Sequence, residues 1–501
     1  MVLQQELNGR FRFKGSVLDK FESRELDVFV GIRGKNRDVM SYKDLREWLD
    51  RVAALGELRR IRGAHWNLEI GTLTEIVRLE QSKPPALCFE QIPDHPPNFR
   101  LLTGMYNSPS RLALTLQLPT DTDERGLVEA WRRKVRSLAR IPPVEVSGGP
   151  ILENVMADGD IDLSLFPAPL WHKLDGGRYL GTGGPTITRD PDESWVNLGN
   201  YRVMLQGKDL LSVWISPGKH GRIHRDKYFA RGVPCPVAIV FGGDPLLLLS
   251  GMVALPAKFS EYDFVGAVRG EAVEVIQGPH TKLPIPAHAE MAIEGDILPD
   301  QKAREGPFGE FTGYYASGAH EEYLIKVKRV LYRNDPVICG APPSIPPTDS
   351  TYGSGRLRAA LVWNALEDCG GAGMHLTIVS IKQLYPGHAK QVAVLATNVA
   401  SGAYMGRYSI VVDEDIDPFD LKQVMWALCT RCDPESSVDL IRRCWSGPLD
   451  PIISRERAGF NSRLVFEAVR PYEWKDRFPP VIERDRETEQ RVRQKWKELF
   501  S

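Results

Sequence analysis

WVNLGNYRVMLQGKDLLSVWIS, residues 195–216, reads as β-type runs in a hairpin-like unit that continues to His224 and puts Asn197, Arg202 and His220 at the ends of strands. Similar runs surround it: YLGTGGPTITRD, CPVAIVFGGDP, EAVEVIQG, AEMAIEGDI and EEYLIKVKRVLYRNDPVICG. Helical periodicity is nearly absent from about 145 to 330, and Gly/Pro turns separate the runs. Such spacing predicts a barrel- or sandwich-like β domain over 141–332, interrupted by one helix at HRDKYFARG, 224–232.

The flanks have a different pattern. Residues 1–37 form an irregular, charged lead-in. From Ser41 a helix is expected, with Ser41 and Asp44 resembling a capping box. Leu45, Trp48, Leu49, Val52 and Leu55 give it one apolar stripe, and Gly56 a stop. A second helix near 69–81 and a strand at ALCFEQI, 86–92, complete an N-terminal α/β domain over 38–140. Residues 333–501 return to α/β alternation: HLTIVSIKQL and YSIVVDEDID as strands, RLRAALVWNALEDCG and PFDLKQVMWALCTR as helices. A terminal amphipathic helix, TEQRVRQKWKELF, carries Val492, Trp496 and Leu499, and either packs on its own domain or docks on another subunit. The expected class is thus α/β (α+β multidomain).

A chain of 501 residues can bury several cores. Its net charge of -1 gives no electrostatic reason for a nucleic-acid partner. The N-terminus lacks a signal-peptide apolar core, and LLLLSGMVALPA, 246–257, is too broken to span a membrane. Seven scattered cysteines suit a reducing cytoplasm. The Cys429/Cys432 pair ends a helix-like stretch and reads as two packed thiols, since a zinc or redox role needs a second pair or a βαβ start.

Chemistry concentrates at REGPFGEFTGYY, 304–315, where Glu305 and Glu310 flank Gly-Pro-Phe-Gly. Neither a helix nor a strand brings two residues of that separation together, whereas a Gly-Pro turn can. A second set is Asn197, His220 and Glu261, whose two oxygens and one nitrogen suit Mn²⁺ or Mg²⁺ better than a thiolate zinc site. HGRIH, 220–224, lacks the glutamate of a zinc hydrolase helix. GTGGP and FGGDP fit no phosphate-loop pattern and read as β-turns, and DEDID, 413–417, as a solvated loop. From residues alone, an Arg202–Glu305 ion pair bracing a turn, with Glu310 in solvent, is the favoured reading of the acidic strip.

Taken together, DLREWLDRVAALGELRRI, NLGNYR…PGKH, SEYDFVGAVRGE, AEMAIEGDI…EGPFGEFTGYY, YPGHAK and DLKQVMWALCTRCDP resemble, in order and spacing, the UbiD family of prenylated-FMN-dependent decarboxylases over roughly residues 40–470. The resemblance implies an N-terminal α/β domain, a central split β-barrel that binds the flavin, and a C-terminal α/β domain that forms dimers, in some members assembled into hexamers. It implies a divalent metal, usually manganese, on Asn197, His220 and Glu261, with potassium nearby sharing the glutamate. The flavin segment would comprise Asn197, Leu198, Gly199, Asn200, Tyr201 and Arg202, with Lys219, His220 and Glu261, and with Lys390 approaching the phosphate. Arg202, Glu305 and Glu310 would be the catalytic set.

The resemblance also implies a reaction: reversible, non-oxidative decarboxylation of an aromatic, heteroaromatic or α,β-unsaturated acid. It would run through a covalent adduct with prenylated FMN, with Glu310 returning the proton. A flavin prenyltransferase would supply the cofactor. The competing expectations are a flavin-binding or assembly protein without turnover, and a metal-dependent hydrolase using the Asn/His/Glu set. APPSIPPTDSTYGSGR, 341–356, is expected to help line the pocket, its hydroxyls and Arg356 facing a polar ring.

Overall fold

The computed structural model describes residues 41–478, except 183, 254, 312, 314, 316–317, 345–346, 368–374, 400–402, 404, 447–449, 451, 455 and 457–458; of 362–367 and 422 it describes the backbone alone. The lead-in and the terminal amphipathic helix expected at 488–500 lie outside these residues.

At the centre is an antiparallel sheet. Its path runs Val196–Asn200, Pro185–Arg189, Cys235–Gly242, Met291–Glu305, His320–Tyr332, Leu210–Trp214, Arg202–Leu205, and Asn154–Ala157 also pairs with His320–Tyr332. Val196–Asn200 and Arg202–Leu205 stand at opposite ends of this path, yet Tyr201 alone separates them in sequence. One linking residue spans no more than about 7 Å. The sheet therefore curls until its two edges meet, giving a split half-barrel.

This corrects the hairpin-like reading of 195–216. Arg202–Leu205 and Leu210–Trp214 do form a hairpin, with Arg202 opposite Trp214. Val196–Asn200 instead pairs with Pro185–Arg189 on the far edge. Side-chain alternation records which face a residue takes, not which strand it pairs with. Glycine permits the crossing: a Cβ on Gly199 would stand 2.3 Å from the Tyr201 hydroxyl.

Both barrel faces are covered. Along Cys235–Gly242, Val237, Ile239 and Phe241 enter one core, while Ala238 and Val240 enter the other with the N-terminal helices. The first helix is Leu45–Ala54, and its cap is Asp44 rather than Ser41: the Asp44 carboxylate accepts from the Arg46 and Glu47 amides. Glu47 returns the bond to the Lys43 amide at 2.9 Å, so the box is shifted relative to its sequence reading. The N-terminal sheet runs Leu58–Arg62, Ala86–Glu90, Arg100–Thr103, Val337–Cys339. Its last strand comes from beyond the barrel and pairs in parallel with Arg100–Thr103.

Helix Asp349–Glu367 also starts against the N-terminal unit. Asp349 accepts from the Met105, Tyr106 and Asn107 amides, and Tyr352 and Arg356 both bind Glu124. Half of the expected pocket loop is thus helix, with Arg356 and the Tyr352 hydroxyl tied to a helix. The C-terminal sheet runs Leu376–Ile381, Tyr408–Asp413, Phe460–Ala468, Val438–Trp445. Val411 packs with Ala389, Val392 and Ala396 of helix His388–Asn398, and Ile410 and Val412 with Val424 and Ala427 of helix Leu421–Arg431. Strand alternation places the two helices on opposite faces. In DEDID, Asp413 is buried and held by Arg431 rather than solvated.

Candidate active site

Arg202 opens its strand at the barrel split, and Glu305 closes the long strand Met291–Glu305. Arg202 grips Glu305 with two bonds, Nε to Oε1 at 2.9 Å and Nη2 to Oε2 at 2.7 Å. Its Nη1 donates to Glu310 Oε1 at 2.8 Å. Between the carboxylates the chain turns through Gly306, at φ +79°, and a cis Gly306–Pro307 bond. Glu305 has no exposed surface, and Arg202 and Glu310 are each 8% exposed. Glu310 is therefore not in solvent.

Burial opposes the Arg202 charge, but Glu305 and then Glu310 outweigh it and raise the guanidinium above its ordinary value. One cation faces two carboxyls in a site nearly closed to water. Uncompensated charge is costly in such a site.

Sequence reading missed several neighbours. Tyr179 donates to Glu305 Oε1 at 2.9 Å; burial and then the Glu305 charge raise its hydroxyl well above the usual tyrosine range, so it remains a donor. Its ring lies 3.9 Å from that of Phe308. Trp214 and Phe308 flank the Arg202 guanidinium at 5.7 and 5.8 Å. His320 pairs with Glu305 across the ladder, its Nε2 3.4 Å from Glu305 Oε2. No motif marks these residues; only the register of Glu305 against His320, and of Arg202 against Trp214, could have signalled two of them.

Asn197, His220 and Glu261 converge beside the same split. Asn197 lies on Val196–Asn200, while His220 and Glu261 each begin a helix, His220–Ala230 and Glu261–Arg269. His220 is thus a helix start, not a strand end. Its Nδ1 is 3.2 Å from Asn197 Oδ1, and the Leu198 amide donates to Glu261 Oε2 at 2.7 Å. Burial, then Lys219, lowers His220, which favours neutral imidazole. Burial pushes the Glu261 carboxyl up to about 8. The Asn197 amide nitrogen is buried without a hydrogen-bond partner. An amide, a neutral imidazole and a buried carboxyl short of a cation fit a moderately hard divalent ion. No cluster of three His, Cys, Asp or Glu occurs among the described residues, and the set Asn197, His220 and Glu261 includes an asparagine.

In the same segment Leu198 is buried, Tyr201 accepts from the Gly221 amide at 3.3 Å, and Asn200 donates to the Leu248 carbonyl at 2.7 Å. Lys219 directly precedes helix His220–Ala230; burial and then Arg358 lower its ammonium. Lys390 is placed elsewhere. It lies on helix His388–Asn398, its ammonium between Asp439 and Glu467 of the C-terminal sheet. These two carboxylates hold it, and none of its described contacts reaches Asn197, His220 or Glu261. His224 is buried against Thr188.

Three family profiles match this chain: the 3-octaprenyl-4-hydroxybenzoate carboxy-lyase N-terminal domain at 49–131, its Rift-related domain at 143–346 and its C-terminal domain at 368–468. Pyrrole-2-carboxylic acid decarboxylase of Pseudomonas aeruginosa is 31% identical over 455 residues, covering 85% of this chain and 91% of the relative. The closed form of vanillic acid decarboxylase from Sedimentibacter hydroxybenzoicus superposes with a TM-score of 0.80 at 29% identity, covering 92% of this chain and 100% of that one. The UbiD-class enzyme HmfF of Pelotomaculum thermopropionicum, in complex with FMN, gives 0.76 at 26% identity, covering 89% and 98%. An evolved dimeric form of it, in complex with prFMN, gives 0.73 at 25% identity, covering 88% and 97%. The chain belongs to the UbiD family, and its activity is that of a carboxy-lyase.

Proposed function

We propose that the protein decarboxylates an aromatic or heteroaromatic carboxylic acid without net oxidation, using prenylated FMN held beside Arg202. The observation that carries this reading is the buried Arg202 shared by Glu305 and Glu310. Relatives named for pyrrole-2-carboxylic and vanillic acids favour a ring acid.

Bound prenylated FMN would supply the electron sink that no side chain offers. Asn197, His220 and Glu261 would hold Mn²⁺ or Mg²⁺ against its phosphate, with K⁺ sharing Glu261. Lys219 and the positive end of helix His220–Ala230 add favourable charge for that phosphate. Arg202 orients the substrate carboxylate with its planar, charged fork. Tyr179 and Arg202 occupy both oxygens of Glu305, so Glu310 is the carboxyl that delivers a proton to the carbon that loses CO₂. Burial of the cluster excludes bulk water from that step.

The exposed residues Phe419, Leu421, Met425 and Trp426 offer an apolar face for a homodimer, or a hexamer built from it. A flavin prenyltransferase is the implied source of the cofactor. The test is anaerobic co-expression with such an enzyme, then measurement of CO₂ release from a panel of ring acids including pyrrole-2-carboxylate. Flavin absorbance with turnover is expected. A colourless, metal-only protein with hydrolase activity, or a flavoprotein inert on every acid, would overturn the proposal.

A further inference from the structure

The Arg202–Nη2 bond to Glu305 Oε2 raises a physical difficulty. Arg202 must shift toward a substrate carboxylate to orient it, and Glu305 has no surface from which Oε2 could turn to water. A buried carboxylate oxygen that loses its donor costs far more than the bond is worth net. Some second donor has to take it. Among the described residues, the histidine facing Oε2 is His320, with Nε2 at 3.4 Å.

His320 is built for that role. Its Nε2 is buried and makes no hydrogen bond, an unusual condition for a ring nitrogen. A displacement of a few tenths of an ångström would bring it to normal hydrogen-bond length. The ladder fixes it opposite Glu305, and the Trp214 ring, centred 4.2 Å away, limits how the imidazole can turn. Trp214 also flanks Arg202, so Arg202 and His320 share one aromatic wall. On the other side Glu322 Oε1 lies 3.7 Å from the same nitrogen. Burial raises the Glu322 carboxyl, with His320, Arg225 and Arg222 opposing, which weakens Glu322 as a rival acceptor. Tyr179 already secures Oε1, so a donor is needed at Oε2 alone.

We infer that His320 is a positioning residue: its Nε2–H takes over Glu305 Oε2 when Arg202 turns toward the substrate carboxylate. The inference rests on the decarboxylase reading. It separates affinity for the acid from affinity for the neutral product, because only the acid draws Arg202 away from Glu305.

The test uses holoenzyme and a ring acid that the wild type turns over. KM and kcat are measured, with equilibrium binding of the acid and of its decarboxylated product. His320→Phe keeps a flat ring against Trp214 and removes the donor. It should raise KM and the acid's Kd about tenfold, and move product affinity less than about twofold. His320→Gln, which restores an N–H, should recover most of the acid affinity. If His320→Phe does not fold, His320→Leu gives the same comparison. Unchanged acid affinity, equal loss for acid and product, or no recovery in His320→Gln would each overturn the inference. Absence of turnover in the wild type would instead overturn the decarboxylase reading, and the inference with it.

Discussion

At the residue scale the site is a problem of charge. Arg202, Glu305 and Glu310 were legible in the sequence because they sit in stretches with a family pattern, and all three meet within hydrogen-bond distance. Tyr179 and His320 were not legible: each is one aromatic or imidazole among β-type residues, and its role comes from a strand register that composition does not encode. Lys390 shows the converse, for a sequence context that resembled a phosphate contact places its ammonium between Asp439 and Glu467. The Asn197, His220 and Glu261 donors yield a prediction at this scale. If the proposed metal set holds, His220→Ala or Asn197→Ala should lose divalent metal and flavin together, because each would remove one of its three donors. Metal analysis and flavin absorbance on the purified variants check this; retention of both would remove these residues from the site.

At the element scale, the acidic strip is held by the loop before it. The Gly176 amide donates to the Pro307 carbonyl at 2.7 Å, and a Cβ on Gly176 would stand 2.0 Å from the Gly306 carbonyl oxygen. Gly176→Ala should therefore displace the 306–310 turn and lower kcat at least tenfold, since misplacing a reacting group by about 1 Å costs about a hundredfold. Steady-state kinetics beside a thermal melt separates this from unfolding. In the same loop Asp175 accepts from Tyr315 of the strip, and His172 meets Glu75 of helix Glu69–Glu80 at 3.0 Å. Burial is the largest effect on His172 and lowers it, but the Glu75 bond and the Asp175 and Glu75 charges together outweigh it and leave the imidazole raised; the same bond holds Glu75 below its ordinary value. A raised histidine stabilises fully below its ordinary 6.5 and loses this as pH rises through its folded value. A lowered glutamate contributes above its ordinary 4.5 and loses this as pH falls through its folded value. The contact is strongest between those limits. Glu75→Gln should lower the melting temperature more at about pH 6 than at about pH 9, by an amount equivalent to roughly 0.5–1 kcal/mol. An equal change at both pH values would contradict it.

At the scale of the whole molecule, the class was legible from period: β-type runs in the middle, helical stripes on either side. How the sheet closes was not legible. Tyr201 joins the two edges of the barrel, and a continuous β pattern through 195–216 gives no sign that the pairing partner changes there. Val337–Cys339 returns to the N-terminal sheet for the same reason, as a short apolar strand has no local mark of its destination. This closure sets Asn197, on one edge strand, and Arg202, on the other, either side of Tyr201. The central claim is that the resulting cluster decarboxylates a ring acid with Glu310 as the proton donor. Its most direct test is CO₂ release by holoenzyme carrying Glu310→Gln, with flavin content and product–solvent deuterium exchange read on the same sample. The expected result is bound flavin with CO₂ release and exchange both abolished. Full turnover by Glu310→Gln would contradict the claim.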